Sequence, residues 1–416
     1  MIQLVNIVQA LPPIKIGNEL FTALEILPEY KNSIRFSERS SRLVALSDLY
    51  KIYIPSQMSS EIYSKLYLAL LPSLQKKGTA LSVQQHIQNF KAISKQEYQG
   101  IMGGSDSFSI IGASGIGKSS AISRAIQLIT ADQILEADNP YTKIIPFLCV
   151  QCPFDSSVKG LLLEILRKVD ENLGSKYYQY SSKTRITIDT LIGTVSQVSL
   201  NHIGVLIVDE IQNVCFSKNG RNLVGMLTQL INNSGISICM VGTPESEVFF
   251  EQAMQLARRS LGLRYEMMEY GEEFRNFCTV LCSYQYVKKG AMITDGIIKW
   301  LYEHSAGNIS VVVTLIHDAQ EISILNGREL LDVTALNEAY QKRLSMLHSF
   351  IHPSLPKEKS SAKSSKEASV PPSKDANLES EYPRISISEL VEKSNLDKSD
   401  IVQLLKANMP IEEVSV

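Results

Sequence analysis

Apolar positions in the middle of the chain fall into two alternating kinds of run. Phe108–Ile111, Ile144–Gln151, Val205–Val208, Ile236–Val241 and Leu263–Glu269 are short and nearly unbroken. They read as strands buried on both faces, which need no polar alternation. Between them, Ser120–Leu128, Ser157–Val169, Ile188–Ser199, Leu223–Asn232 and Glu272–Tyr286 repeat apolar residues every three or four positions, the period of a helix with one covered stripe. Strands alternating with helices over residues 100–288 predict an α/β domain on a parallel sheet. Three further helical periods, Asp295–His304, Ser310–Ile324 and Thr334–His348, are broken at Gly307-Asn308 and Asn326-Gly327. They predict a small helical unit over 289–350.

The flanks read differently. Residues 1–99 form an accessory or docking region, in which Ser59–Leu71 has helical spacing and is expected to stop at Pro72. Residues 170–187 are expected as an exposed loop. Residues 351–384 are rich in Lys, Ser and Pro and lack the apolar side chains that would offset ordering entropy, so a flexible linker is predicted. Beyond it, 385–416 reads as two short helices around Asn395-Leu396, expected to fold on a partner.

Composition adds limits. With 416 residues, 44% of them hydrophobic, the chain can bury a full core. Lys and Arg number 41 against 43 Asp and Glu, so any polyanion contact must rest on local cations or on several subunits pooling a few each. The apolar start Met1–Pro13 has no basic leader and is interrupted by Pro12-Pro13. Neither a secretory signal nor a membrane span is predicted, and a cytoplasmic protein is expected. Cys149-x-x-Cys152 has the spacing of a zinc or redox pair, but no second pair or His cluster accompanies it. All six cysteines are therefore expected as buried, reduced thiols. Arg35, Arg39 and Arg42 suit a docking or nucleic-acid surface or a solvated helix face, and the solvated face is the preferred reading.

The strongest chemistry lies between the first strand and first helix of the α/β domain. Residues 112–119 read Gly-Ala-Ser-Gly-Ile-Gly-Lys-Ser, matching G-x-x-x-x-G-K-[ST] at every fixed position. The glycines let successive N–H groups turn towards one centre, and the following helix adds the positive end of its dipole. Lys118 then reaches the β- and γ-phosphates, and Ser119 ligates Mg²⁺. Gly112, Ala113, Ser114, Gly115, Ile116, Gly117, Lys118, Ser119 and Ser120 are the candidate phosphate-binding residues. Gly204–Val208 delivers Asp209 and Glu210 to the carboxyl edge of the sheet, where ligands bind. Asp209 suits Mg²⁺, and Glu210 suits the activation of a water. Ile236–Gly242 brings Thr243 to the same edge, within reach of a γ-phosphate or that water. Arg258 or Arg259 suits an arginine supplied to a neighbouring subunit's nucleotide, and spacing does not choose between them. A nucleoside triphosphate is the expected ligand.

Five segments occur in a telling order: Phe108–Ser119, Cys152–Gly160, Gly204–Gln212, Gly242–Glu245 and Gln255–Arg259. Together with Ala10–Pro13 and Ser40–Pro55, they give residues 1–290 a resemblance to the TnsC/TniB group of AAA+ ATPases, regulators of target selection in cut-and-paste DNA transposition. The resemblance implies a phosphate-loop AAA+ core, a helical lid at 289–350 and a bacterial protein. It implies ATP and Mg²⁺, with Lys118, Ser119, Asp209, Glu210, Thr243 and a trans arginine in the roles above. It further implies a ring or helical filament, hexameric or heptameric, on duplex DNA. That assembly bridges a TniQ/TnsD-like targeting protein to the transposase, which the tail engages. Lys183, Arg185, Lys218 and Arg221 are the candidate backbone contacts, positioning without reading sequence. One departure is that Gly307–Ser310, at the start of a lid helix, offers no arginine to a γ-phosphate, which suggests slow, assembly-dependent hydrolysis. A signalling switch ATPase and a replication-type helicase or clamp loader are the alternatives sharing such a core.

Overall fold

One six-stranded sheet organises the chain. In the computed structural model the described residues are 10–77, 107–131, 133–138, 141–183, 186–247 and 262–345, and they fall within one compact unit. Among the described residues three α-helices come first, α1 (Gly17–Leu24), α2 (Arg39–Ala45) and α3 (Gln57–Lys77), with 3-10 turns at Asn32–Phe36 and Leu46–Lys51. The α/β segment then runs β1 (Phe108–Gly112), α4 (Lys118–Thr130), β2 (Leu135–Asp138), β3 (Tyr141–Gln151), α5 (Val158–Leu173), α6 (Tyr177–Lys183), α7 (Ile188–His202), β4 (Ile203–Asp209), α8 (Gly220–Ser234), β5 (Ser237–Gly242) and β6 (Leu263–Tyr265). The last part is helical: α9 (Glu272–Ser283), α10 (Asp295–Glu303), α11 (Ile309–Leu325) and α12 (Val333–Arg343).

The strand order is β2-β3-β4-β5-β1-β6, parallel except for the β2–β3 pair. Because β5 lies between β1 and β4, the ends of all three strands meet at one stretch of the carboxyl edge, the place where open α/β sheets bind ligands. Every residue of β1 and β5 is buried, as strands sandwiched between helices require. On one face Leu161, Ile165, Val195 and Leu227 from α5, α7 and α8 pack on Leu148, Leu206 and Ile238. On the other, Leu66 and Leu70 of α3 and Ala125 and Ile129 of α4 pack on Phe108, Ile110 and Val205. The mixed α/β class read from the sequence is the observed one.

Several local expectations are corrected. Pro72 does not end its helix: α3 continues to Lys77. An interior proline costs about 3 kcal/mol, but contacts beyond it hold the helix in place. Leu74 is buried, Ser73 Oγ donates to the Gly204 carbonyl at 2.6 Å, and Lys77 Nζ donates to the Ser199 and Leu200 carbonyls. Residues 170–187 are not a plain loop, because α6 forms where the Asp170 carboxylate accepts the backbone N–H groups of Tyr177 and Tyr178 at 2.9 and 2.8 Å. The edge strand β2 was not expected; the Asp138-Asn139-Pro140 turn signal marks it in the sequence. Strand β6 is shorter than Leu263–Glu269, since Tyr265 pairs with Gly112, where β1 gives way to the loop before α4.

Cys149 and Cys215 are exposed, whereas Cys152, Cys239, Cys278 and Cys282 are buried as expected. Along β3, Leu148 and Val150 face the packed helices. Cys149 points to the opposite face, beyond Phe147, where cover has ended.

The arginines of the N-terminal region do not form a solvated face. Arg42 is 1% exposed. It pairs with Glu329 and also donates to the Tyr286 carbonyl. Arg35 donates to the Val287 and Lys288 carbonyls at 2.8 and 3.0 Å. Of the three only Arg39 lies on the surface. Leu46 and Leu49 share a core with α9 to α12, and the Tyr30 ring sits 5.2 Å from that of Tyr284. Residues 10–77 are thus built into the sheet core on one side and the helical unit on the other. Among the described residues no helix is long and apolar enough to cross a membrane.

Candidate nucleotide-binding site

The loop between β1 and α4 turns on two glycines in the left-handed region, Gly115 at φ 83° and Gly117 at φ 95°. Gly117 is the N-cap of α4, so the helix begins at Lys118 with its first N–H groups directed at the loop's centre. The Lys118 ammonium donates to the carbonyls of Gly112 at 2.6 Å and Ala113 at 2.8 Å. Burial lowers its pKa, and the charges of Asp209, Glu210 and Glu245 act against that shift. The lysine is therefore parked on the loop's own carbonyls with three carboxylates favouring its charge.

Asp209 ends β4 opposite the loop. Its Oδ2 accepts the Ser119 hydroxyl at 3.2 Å, and its Oδ1 accepts the Glu210 N–H at 2.8 Å. Glu210 holds φ 57°, a left-handed conformation that costs a non-glycine residue about 1–3 kcal/mol. The turn swings the Glu210 side chain off the strand axis, where Gln212 Nε2 donates to its carboxylate. Gln212 Oε1 is buried and has no hydrogen-bond partner, an acceptor unsatisfied beside the site. Thr243, at the end of β5, hydrogen-bonds the Glu245 carboxylate and holds its pKa down.

Ser114 to Ser120, Asp209, Glu210 and Thr243 line one cavity of about 370 Å³. Gly112 and Ala113 stand behind it, as acceptors for Lys118. The cavity's other walls were not legible in the motifs. Leu49, Tyr50, Ile52, Tyr53 and Ile54 come from the N-terminal region, Phe277 from α9, and Ile309, Ser310 and Val313 from α11. This apolar end beside a phosphate loop has the character of a base pocket. Asn308, the N-cap of α11, donates to the Ser114 carbonyl at 3.0 Å. The sequence marked this position as a break and as a lid-helix start that offers no arginine, not as a contact to the loop after β1.

Other candidates lie elsewhere. Lys218 and Arg221 are exposed, and Arg221 lines a separate groove with Lys159 and Asn219. Ser217 and Asn219 tie that segment to the Asp155 carbonyl. Arg258, Arg259, Arg185, the Lys183 side chain, the linker and the tail 385–416 lie outside the described residues.

Residues 81–266 match the family described as Bacterial TniB protein. No curated protein matches the chain. Among solved structures, the chain is similar to the Aeropyrum pernix Orc1 protein in complex with DNA. Identity is 13% over 66% of this chain and 68% of that one, with a TM-score of 0.42. It is also similar to Drosophila ORC bound to DNA, at 11% identity over 81% of this chain and 71% of that one, with a TM-score of 0.38. At these TM-scores the likeness carries no functional argument.

Proposed function

We propose that this chain, a TnsC/TniB-type AAA+ protein, is an ATP-dependent regulator of DNA transposition that oligomerises on target DNA and bridges a targeting factor to the transposase. One observation carries the reading: Lys118, Ser119, Asp209, Glu210 and Thr243 come from three strand ends and converge on one cavity beside an apolar pocket. The TniB match favours transposition over a signalling switch or a replication loader.

The donor set suits Mg²⁺, because the Ser119 hydroxyl and Asp209 carboxylate, hard oxygens 3.2 Å apart, face the same space. When bound, the ion neutralises charge on the β- and γ-phosphate oxygens. Lys118 exchanges its two carbonyl acceptors for phosphate oxygens. Glu210 accepts a proton from the attacking water, and Thr243 orients that water. Arg258 or Arg259 of a neighbouring copy stabilises the charge that develops, which makes hydrolysis depend on assembly. Lys183, Arg185, Lys218 and Arg221 contact the duplex backbone, and residues 385–416 engage the transposase.

Electron microscopy with duplex DNA and a non-hydrolysable ATP analogue tests this reading. Rings or filaments are expected for the native protein and none for Lys118→Ala. Absence of any nucleotide-dependent assembly on DNA refutes it.

A further inference from the structure

The helical unit, whose Ile309, Ser310 and Val313 also line the cavity, touches the phosphate loop at two of the loop's carbonyls. Asn308 Nδ2 donates to the Ser114 carbonyl at 3.0 Å. Two residues on, the Ser310 N–H donates to the Gly115 carbonyl, also at 3.0 Å. The packing is close, since a Cβ on Gly115 would sit 2.6 Å from Asn308 Oδ1. Asn308 is itself held, because its Oδ1 accepts the Val311 N–H at 3.3 Å as the cap of α11.

In a planar trans peptide the carbonyl and the following N–H point in opposite directions. A donor fixed on the Ser114 carbonyl therefore sets the direction of the Gly115 N–H. A donor on the Gly115 carbonyl likewise sets that of the Ile116 N–H. Both N–H groups are turned away from Asn308 and Ser310, and each becomes a stronger donor when its peptide's carbonyl accepts a bond. Among the described residues that line the cavity Lys118 is the one cation, and none of those from α11 carries a positive charge to the ligand.

We propose that Asn308 is a positioning residue that couples the helical unit to triphosphate affinity by orienting the phosphate loop's backbone, in place of a cation on α11. The proposal rests on the nucleotide reading of the site. Coupling of this kind is reciprocal: bound triphosphate holds α11 against the loop as strongly as α11 favours the triphosphate.

Asn308→Asp removes the contact, because aspartate still caps α11 but has no donor for the Ser114 carbonyl, and the charge it adds beside the ligand is absent from a second variant. Asn308→Ser, also a good cap with a shorter side chain, guards against a misfolded first variant. Both are expected to keep the melting temperature of the nucleotide-free protein. Without nucleotide, hydrogen exchange at the amides of residues 115–119 is expected to speed about tenfold, as for one lost hydrogen bond. KM for MgATP is expected to rise about tenfold with kcat within about twofold. Native exchange rates or a native KM in Asn308→Ser overturns the proposal, whatever the charged variant shows. If the native protein bound no MgATP, the nucleotide reading would fall instead. Accelerated exchange in the variants would then separate the two failures.

Discussion

Arg42 and Glu329, 287 positions apart in the chain, form a two-pronged ion pair at 2.6 and 2.7 Å. The pair fastens the N-terminal region to the helical unit, while the segment just after Arg42 supplies Leu49, Tyr50, Ile52, Tyr53 and Ile54 to the cavity wall. The side chains are 2% and 12% exposed, so the pair is shielded from the solvent that weakens surface ion pairs.

Removing one partner leaves a buried charge uncompensated. Arg42→Ala is expected to destabilise the protein by about 3–5 kcal/mol, measured by denaturant unfolding. The hydrogen bond from Arg42, more than any other contact, holds the Glu329 carboxyl below the usual carboxylate range. Its contribution is therefore complete above the unfolded-state pKa of about 4.3 and is lost as pH falls through the lower folded value. Stability below about pH 4 should fall more steeply for the native protein than for Glu329→Gln. Parallel curves would contradict the pairing.

Thiol accessibility is directly measurable. Brief alkylation of the native fold followed by mass spectrometry should label Cys149 and Cys215. Cys152, Cys239, Cys278 and Cys282 should be spared, being buried. Burial pushes the thiols of Cys152 and Cys282 up to about 12, which keeps the reactive thiolate scarce. Labelling of Cys239 before Cys149 would contradict the placement of β3.

Glu210→Gln keeps the shape of the side chain but removes the carboxylate proposed as the base. ATP hydrolysis should fall by about 10²–10⁴-fold while nucleotide affinity stays near native, read by phosphate release and by equilibrium binding. Unchanged hydrolysis would remove Glu210 from the role proposed for it.

Val313→Trp tests the apolar end of the cavity. Filling that space should weaken MgATP binding by at least about tenfold, whereas tripolyphosphate, which has no base, should bind as before. Equal losses for both ligands would place the base elsewhere.

The sheet and the glycine-turned loop between β1 and α4 were legible in the sequence because both obey local rules. Buried parallel strands are unbroken apolar runs, and Gly112 to Ser119 need fixed residue types at fixed spacing. Asp209, Glu210 and Thr243 followed from their positions at strand ends. The cavity's other wall was not legible. Tyr50, Ile52 and Ile54 reach it through long-range packing, and nothing in their local pattern differs from an ordinary core segment. Arg42 read as solvated because its partner lies almost three hundred residues away. Pro72 misled for the opposite reason: its local signal was correct in kind, but Ser73 and Lys77 hold the helix through contacts that spacing does not reveal. Asn308 combined the two difficulties, since its turn signal hid a contact made to another element.

The central claim is that a triphosphate is bound at Lys118. Calorimetric titration of a non-hydrolysable ATP analogue with Mg²⁺ tests it most directly. The native protein should bind one equivalent per chain, and Lys118→Ala should bind at least about a hundredfold more weakly, two tenfold steps of about 1.4 kcal/mol each. Equal affinity in the two proteins, or no heat in either, would contradict it.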